Sequence, residues 1–176
     1  MIFVRSRIPV CLAFAVFLAA MLSACSLFST ESKREEAVQL DISIQAATDL
    51  NPDLKSRPSP MILRVYELKS EATFIQADFF SLQNNDRATL TEDLLARDEF
   101  IVRPDDRRVL IRRKAHPQIG ALGVFAAFRD LPHSIWRATF RLPPPSEAAW
   151  YERLLSSDTI RLRVFLEDNA IRILDD

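Results

Sequence analysis

Few side chains in this chain are of types that do chemistry. It holds two histidines, His116 and His133, and two cysteines, Cys11 and Cys25. The stretch "DLPHS" gathers Asp130, His133 and Ser134, the residue types of a nucleophilic triad. A triad works only when its members converge from different elements, each with its own line of approach. Neighbours on one proline-bearing turn cannot do that, so the spacing supports a plain turn histidine. His116 precedes Pro117 and reads the same way. Two separated histidines with no free thiol give a transition metal too few soft ligands. Carboxylates adjoin at Asp105-Asp106 and Asp175-Asp176, and the first pair lies in "RPDDRR", which reads as a solvated hairpin turn. Gly120 and Gly123 fall in the apolar run "IGALGVFAAF". They cannot form a phosphate-cradling turn between strand and helix; a bulge or a close backbone contact is the expected use. No enzyme, cofactor or metal site is expected.

Cys25 is different. Arg5 and Arg7 precede "IPVCLAFAVFLAAMLSA", which gives a basic head, an apolar middle and small residues at its end. That is the pattern of a secretory signal, and its apolar part is short for a bilayer-spanning helix, which needs roughly 20 residues. "LSAC", Leu22–Cys25, resembles the lipobox of bacterial lipoproteins, in which the cysteine is lipidated and becomes the first residue after cleavage. The expected organisation is a signal peptide at 1–24, a lipidated N-terminus and flexible tether at 25–37, and a folded domain at 38–176. Loss of 1–24 takes Cys11 with it, so the domain must hold together without disulfides. It also leaves 21 of the 23 basic residues beside all 24 acidic ones. That near-balance argues against a nucleic-acid partner. Ser26, rather than aspartate, follows the cysteine, which by analogy with enterobacterial lipoproteins directs the protein to the outer membrane. "SLFSTESKREEA", Ser26–Ala37, is polar and aperiodic; fully extended it reaches at most about 40 Å. A short helix in "ESKREEA" is the competing reading.

The elements that position these residues are mostly strands. Leu40, Ile42, Ile44 and Ala46 alternate with polar residues, the pattern of a half-buried strand. Trp136, Ala138, Phe140 and Leu142 repeat it, as do Ile160, Leu162, Val164 and Leu166. "PMILRVYELK" and "RRVLIRRK" are β-rich, and "IGALGVFAAF" is apolar on both faces as a central strand would be. "AIRIL" after "EDN" predicts a closing hairpin. Apolar residues three and four apart predict short helices in "SEATFIQADFFSLQ" and "ATLTEDLLARDE", with Ser70, Thr89 or Thr91 as caps. "LPPPSEAAWYERLLSSD" is a proline-led connection with room for a helical turn at 147–155. Seven or so strands with a helical excursion suggest a two-sheet sandwich.

With chemistry set aside, surface remains. "DLNPDLKSRPSP", Asp49–Pro60, is far longer than a hairpin loop, and loops of that length are often functional. Pro52, Pro58 and Pro60 stiffen it and so reduce the entropy lost on binding. A plain crossover between two sheets explains it equally well. The basic run Arg107–Lys114 alternates along a strand, so its charges are expected on both faces.

Taken together, "LNPDLKSRPSPMILRVYELKS", "FIQADFFSL" and "IGALGVFAAFRDLPHSIWRA", with the lipobox, resemble the outer-membrane lipoproteins of the type VI secretion system, the TssJ (SciN/VasD) family. One departure is Ser56, where relatives commonly place glycine before the Arg-Pro. The resemblance implies a mainly β fold, a two-sheet transthyretin-like β-sandwich with short helical insertions, and no catalysis. It implies a protein anchored to the outer membrane through Cys25, facing the periplasm, that binds the periplasmic C-terminal region of TssM, itself partnered by TssL. The family's partner-binding loop maps onto Asp49, Leu50, Asn51, Pro52, Asp53, Leu54, Lys55, Ser56 and Arg57. Arg129, Asp130 and Trp136 carry the recognition pattern and are expected to hold the fold, the arginine paired with a nearby acid and the indole in the core. The rival is a periplasmic small-ligand-binding or hydrolytic lipoprotein on the same sandwich, which fold alone does not exclude.

Overall fold

Alternation along β1, Gln39–Ala46, puts Leu40, Ile42, Ile44 and Ala46 on one face, and all four are buried. The computed structural model describes residues 38–107, 109–142 and 159–175. All of them lie in the unit Glu36–Asp176, separate from Met1–Glu35. The signal, lipobox, tether and 147–155 helix readings fall outside the described residues. β2 is Met61–Leu68, β3 Leu94–Val102, β4 Val109–Lys114, β5 Ala121–Ala126, β6 Arg137–Arg141, β7 Thr159–Leu166 and β8 Ile171–Asp175; α1 is Ala72–Gln76 and α2 Phe79–Leu90.

The strands form two four-stranded sheets, ordered β4-β1-β7-β8 and β3-β2-β5-β6. β1 runs parallel to β7 and antiparallel to β4; the second sheet is antiparallel throughout. Between the sheets, the inward residues of β1 and β7 meet Met61, Leu63 and Val65 of β2 and Leu122, Val124 and Ala126 of β5. Each leucine, isoleucine, valine or methionine among them, taken fully from water, stabilises by roughly 1.5–3 kcal/mol. A second apolar layer covers the outer face of the second sheet, where Phe74, Phe79, Leu82 and Leu90 of the helices pack on Tyr66, Leu68 and Phe125. β5 is therefore buried on both faces, which accounts for its unbroken apolar sequence. The expected sandwich with helical insertions is the fold observed, and the β7–β8 hairpin is present.

One strand was not expected. "LLARDE" continues into β3 rather than a helix; of the stretch 88–99, Ala88–Leu90 end α2, Thr91–Asp93 form a single 3-10 turn, and the rest is strand. β3 is a sheet edge, and it carries charge on both faces, so it lacks the apolar alternation that marks the other strands. The inward charge, Asp98, is held by Arg113 of β4 in the opposite sheet, Nη1 donating to Oδ1 at 3.0 Å. The same guanidinium meets Glu67 Oε1 at 2.7 Å, and Glu67 is only 2% exposed. This acid–arginine–acid bridge ties the two sheets together.

The helix caps also differ from expectation. Asp78 caps α2, accepting from Ser81 N at 3.0 Å. Ser70 Oγ accepts from Ala72 N at the start of α1, whereas Thr89 lies inside α2 and bonds back to Asn85 O. Gly120 does make the close backbone contact expected of it: a Cβ there would lie 2.3 Å from Lys69 O. No helix among the described residues is long and apolar enough to cross a membrane.

Candidate partner-binding site

The strand directions sort the loops into two ends. The start of β1 lies beside the end of β4 and the start of β7, with Gln39 opposite Lys114 and Thr159. The segment 47–60 leaves the other end of β1, eight residues and about 26 Å away. At that far end it meets the β3–β4 turn, the 127–136 segment and the β7–β8 turn.

Asn51 gathers them. It is 2% exposed, with φ at 50°. Its N–H donates to Asp168 O at 2.7 Å, its Nδ2 donates to Pro60 O at 3.3 Å, and its Oδ1 accepts from Arg129 N at 2.9 Å. A buried amide with donor and acceptor both satisfied by backbone holds three segments in one arrangement. Leu50 is fully buried beside it, and Ser59 N donates to Leu50 O at 2.9 Å, which closes the base of the loop.

Above that base the chain folds on Asp53. Its Oδ1 accepts from Lys55 N at 2.8 Å and Arg57 N at 3.0 Å, while Oδ2 accepts from Arg57 Nε at 2.8 Å. Asp53 N donates to Arg57 O at 2.9 Å and Ser56 N to Asp53 O at 2.8 Å. Aspartate folding its own following backbone is a standard turn device. Hydrogen bonds from the Arg57 side chain and backbone hold its pKa down at about 2. Ser56 has φ at 57°, so its backbone takes the left-handed conformation that glycine adopts freely; serine closes the turn in glycine's place.

The nine residues Asp49–Arg57 thus divide. Leu50 and Asn51 are buried and act as the loop's footing, whereas Leu54, Lys55, Ser56 and Arg57 are exposed at the tip. Leu54 is 107% exposed, as bare as in an extended peptide. Of the seven large apolar side chains exposed among the described residues, Leu54, Ile62, Ile101 and Ile135 lie at this end. Ile62 and Ile101 face each other across β2 and β3, just beyond the loop. Ile135 lies on the neighbouring segment, bridged to Ala170. None of the three isoleucines stands out in the sequence, because each sits beside inward apolar residues and merges with the apolar run of its strand or segment.

The residues considered for chemistry do not converge. His133 Nδ1 sits 2.9 Å from Asp130 Oδ1, but the Ser134 hydroxyl donates to Leu131 O at 3.1 Å. Asp130 therefore takes His133 as its partner rather than Arg129, whose contribution is the backbone N–H given to Asn51. Trp136 stacks edge-on against Phe79 and Phe125 with Arg137 over its ring, half-buried as a fold residue. Within the basic run, Arg107 pairs with Asp105, Arg112 with Asp41, and Arg113 as above. Among the described residues no His, Cys, Asp and Glu side chains group in the threes a metal needs. An open groove of about 490 Å³ at the other end is lined by Lys69–Ala72, Ile75, Gln76, Gly120, Ala121 and Arg141. Its acid, Glu71, is held below the usual carboxylate range by hydrogen bonding to Arg141, an ion pair that satisfies both groups.

Residues 38–169 match the T6SS-SciN family, described as type VI secretion lipoprotein, VasD, EvfM, TssJ. Among solved structures, the T6SS lipoprotein TssJ1 from Pseudomonas aeruginosa is 34% identical, covers 80% of this chain and 97% of its own, and superposes with a TM-score of 0.69. Serratia marcescens Lip, a membrane bound component of the type VI secretion system, is 27% identical over 80% of this chain and 99% of its own, at a TM-score of 0.72. A chain in the structure of the TssM C-terminal domain from EAEC shares the fold at 20% identity, covering 77% of this chain and 97% of its own, with a TM-score of 0.57. No curated protein is similar enough to match.

Proposed function

The chain belongs to the TssJ family of type VI secretion lipoproteins, and from that premise we propose that it joins the outer membrane to the secretion system's periplasmic core by gripping the C-terminal region of TssM. Cys25 carries the lipid, residues 26–37 supply reach, and the sandwich holds the loop Asp49–Arg57 toward the periplasm. TssL joins the same assembly through TssM. The protein acts without catalysis, as an adaptor.

The observation that carries this reading is the separation of the two ends. The tether enters where β1 begins, and the loop stands where β1 ends, about 26 Å along the strand. Attachment at one end leaves the other free to meet a partner. The loop is ordered by its own hydrogen bonds before any partner arrives, which lowers the entropy lost on binding. Exposed apolar side chains gather at the same end, as a protein-binding surface requires. The small-ligand reading is less well supported, because the groove at the opposite end is open and its acid is already paired with Arg141.

Two substitutions separate the two jobs. Cys25→Ser is expected to release a folded domain from the membrane, since it removes the thiol that carries the lipid and with it the acyl chains on which durable anchoring depends. Replacing residues 53–57 with a Gly-Ser linker is expected to leave the protein membrane-bound yet unable to co-purify TssM. A linker variant that recovers TssM at the parental level would contradict the assignment of the loop.

A further inference from the structure

We propose that Leu54 is the anchor of this grip, a leucine held out on a preformed turn that inserts into an apolar socket on TssM. The proposal rests on the loop reading above and sharpens it to one side chain and one kind of complementary surface.

Full exposure of a large apolar side chain is unremarkable on a slack loop, which samples many shapes. Leu54 is not on such a loop. It follows directly on Asp53, whose carboxylate takes three hydrogen bonds from Lys55 and Arg57 and an ion pair at 2.6 Å from Arg57 Nη2. The backbone bonds Asp53 N to Arg57 O and Ser56 N to Asp53 O cross the same turn. Asn51 fixes the turn's base to the 127–136 and β7–β8 segments. Every polar device in the loop therefore works to hold a conformation in which Leu54 touches nothing.

The other exposed apolar residues at this end are only partly bare. Ile62 is 37%, Ile135 59% and Ile101 69% exposed, and Ile62 and Ile101 lie against each other across the strands. They suit a supporting rim, whereas Leu54 suits a plug. Hot spots of interfaces are side chains of this kind, seated centrally in a desolvated pocket and ringed by contacts that add little. The socket that fits has an apolar floor wide enough for an isobutyl group. An acidic group belongs on its rim, opposite exposed Lys55; Arg57 is already engaged by Asp53.

The test uses the full-length lipidated protein in detergent and the purified periplasmic C-terminal region of TssM as the probe, with dissociation constants measured for parent and variants. Leu54→Ala is expected to weaken binding at least about tenfold and Leu54→Asp further, while Leu54→Met, which still fills an apolar socket, stays within about threefold. Urea midpoints of all three are expected to match the parent, since the side chain contributes no contact to the fold. If Leu54→Ala and Leu54→Asp bind like the parent while the Gly-Ser replacement of 53–57 abolishes binding, the anchor is refuted and the loop reading stands. If the Gly-Ser protein also binds like the parent, or the parent does not bind the probe, both fall.

Discussion

Asn51 Oδ1 accepts a hydrogen bond from the backbone N–H of Arg129 at 2.9 Å, across 78 residues of sequence. This one bond joins the loop that opens the second sheet to the segment that follows β5. Asn51 is buried, so its amide has no water as a substitute.

Asn51 carries two separable loads, and two substitutions distinguish them. Asn51→Gly removes the side-chain bonds but keeps φ at 50° accessible, and is expected to lower stability by about 1–3 kcal/mol. Asn51→Ala removes the same bonds and adds roughly 1 kcal/mol of left-handed backbone strain. Urea denaturation is expected to rank the parent above glycine and glycine above alanine. An alanine variant more stable than the glycine variant would contradict the backbone argument.

Asp53 should titrate far below an ordinary aspartate. Its folded pKa is depressed to about 2 from 3.8, so the stabilisation it gives the turn is fully present above its unfolded value. It is lost as pH falls from about 4 through 2. NMR titration of the Asp53 carboxyl carbon is expected to give a midpoint near 2 in the parent and a higher one in Arg57→Ala, which loses the guanidinium but keeps the backbone N–H donors of residues 55 and 57. A parental midpoint near 4 would mean that the clamp does not form in solution.

Arg113 is the only described basic side chain bridging Glu67 and Asp98 across the sheets. Arg113→Met is expected to destabilise by about 2–3 kcal/mol, because it leaves Glu67 buried without its counter-charge; the partial exposure of Arg113 brings the effect to or below the lower bound for a fully buried pair. Adding Glu67→Gln to that variant is expected to recover part of the loss. Equal urea midpoints for parent and Arg113→Met would show that the bridge is ornamental.

Gly120→Ala places a Cβ 2.3 Å from the carbonyl oxygen of Lys69, and backbone on both sides must move. A loss of about 2 kcal/mol or more is expected in thermal or urea unfolding. A neutral result would show that the β2–β5 end is looser than its packing implies.

The pattern of the sequence carried most of this fold and only part of the site. β1 and β7 were legible because each buries one face, and β5 because it is covered on both. β3 was not, since an edge strand whose inward position is Asp98 shows no apolar alternation; the arginine that makes that position tolerable lies on another sheet. The loop could be located by its length and prolines. Its division into buried footing and bare tip could not, because Leu50 and Leu54 are the same residue type, and only the hydrogen bonds of Asn51 and Asp53 decide which one faces water. Ser56 shows the same limit: its positive φ follows from the turn closed by Asp53, and serine alone does not announce it.

The central claim is that the end of the sandwich bearing the loop, and not the end where β1 begins, touches TssM. Site-specific photo-crosslinking in cells tests it most directly, with the crosslinking residue placed at Lys55 on the tip or at Gln76 in the opposite groove. The account predicts a crosslink to TssM from position 55 and none from position 76. A TssM crosslink from position 76 with none from position 55 would contradict it.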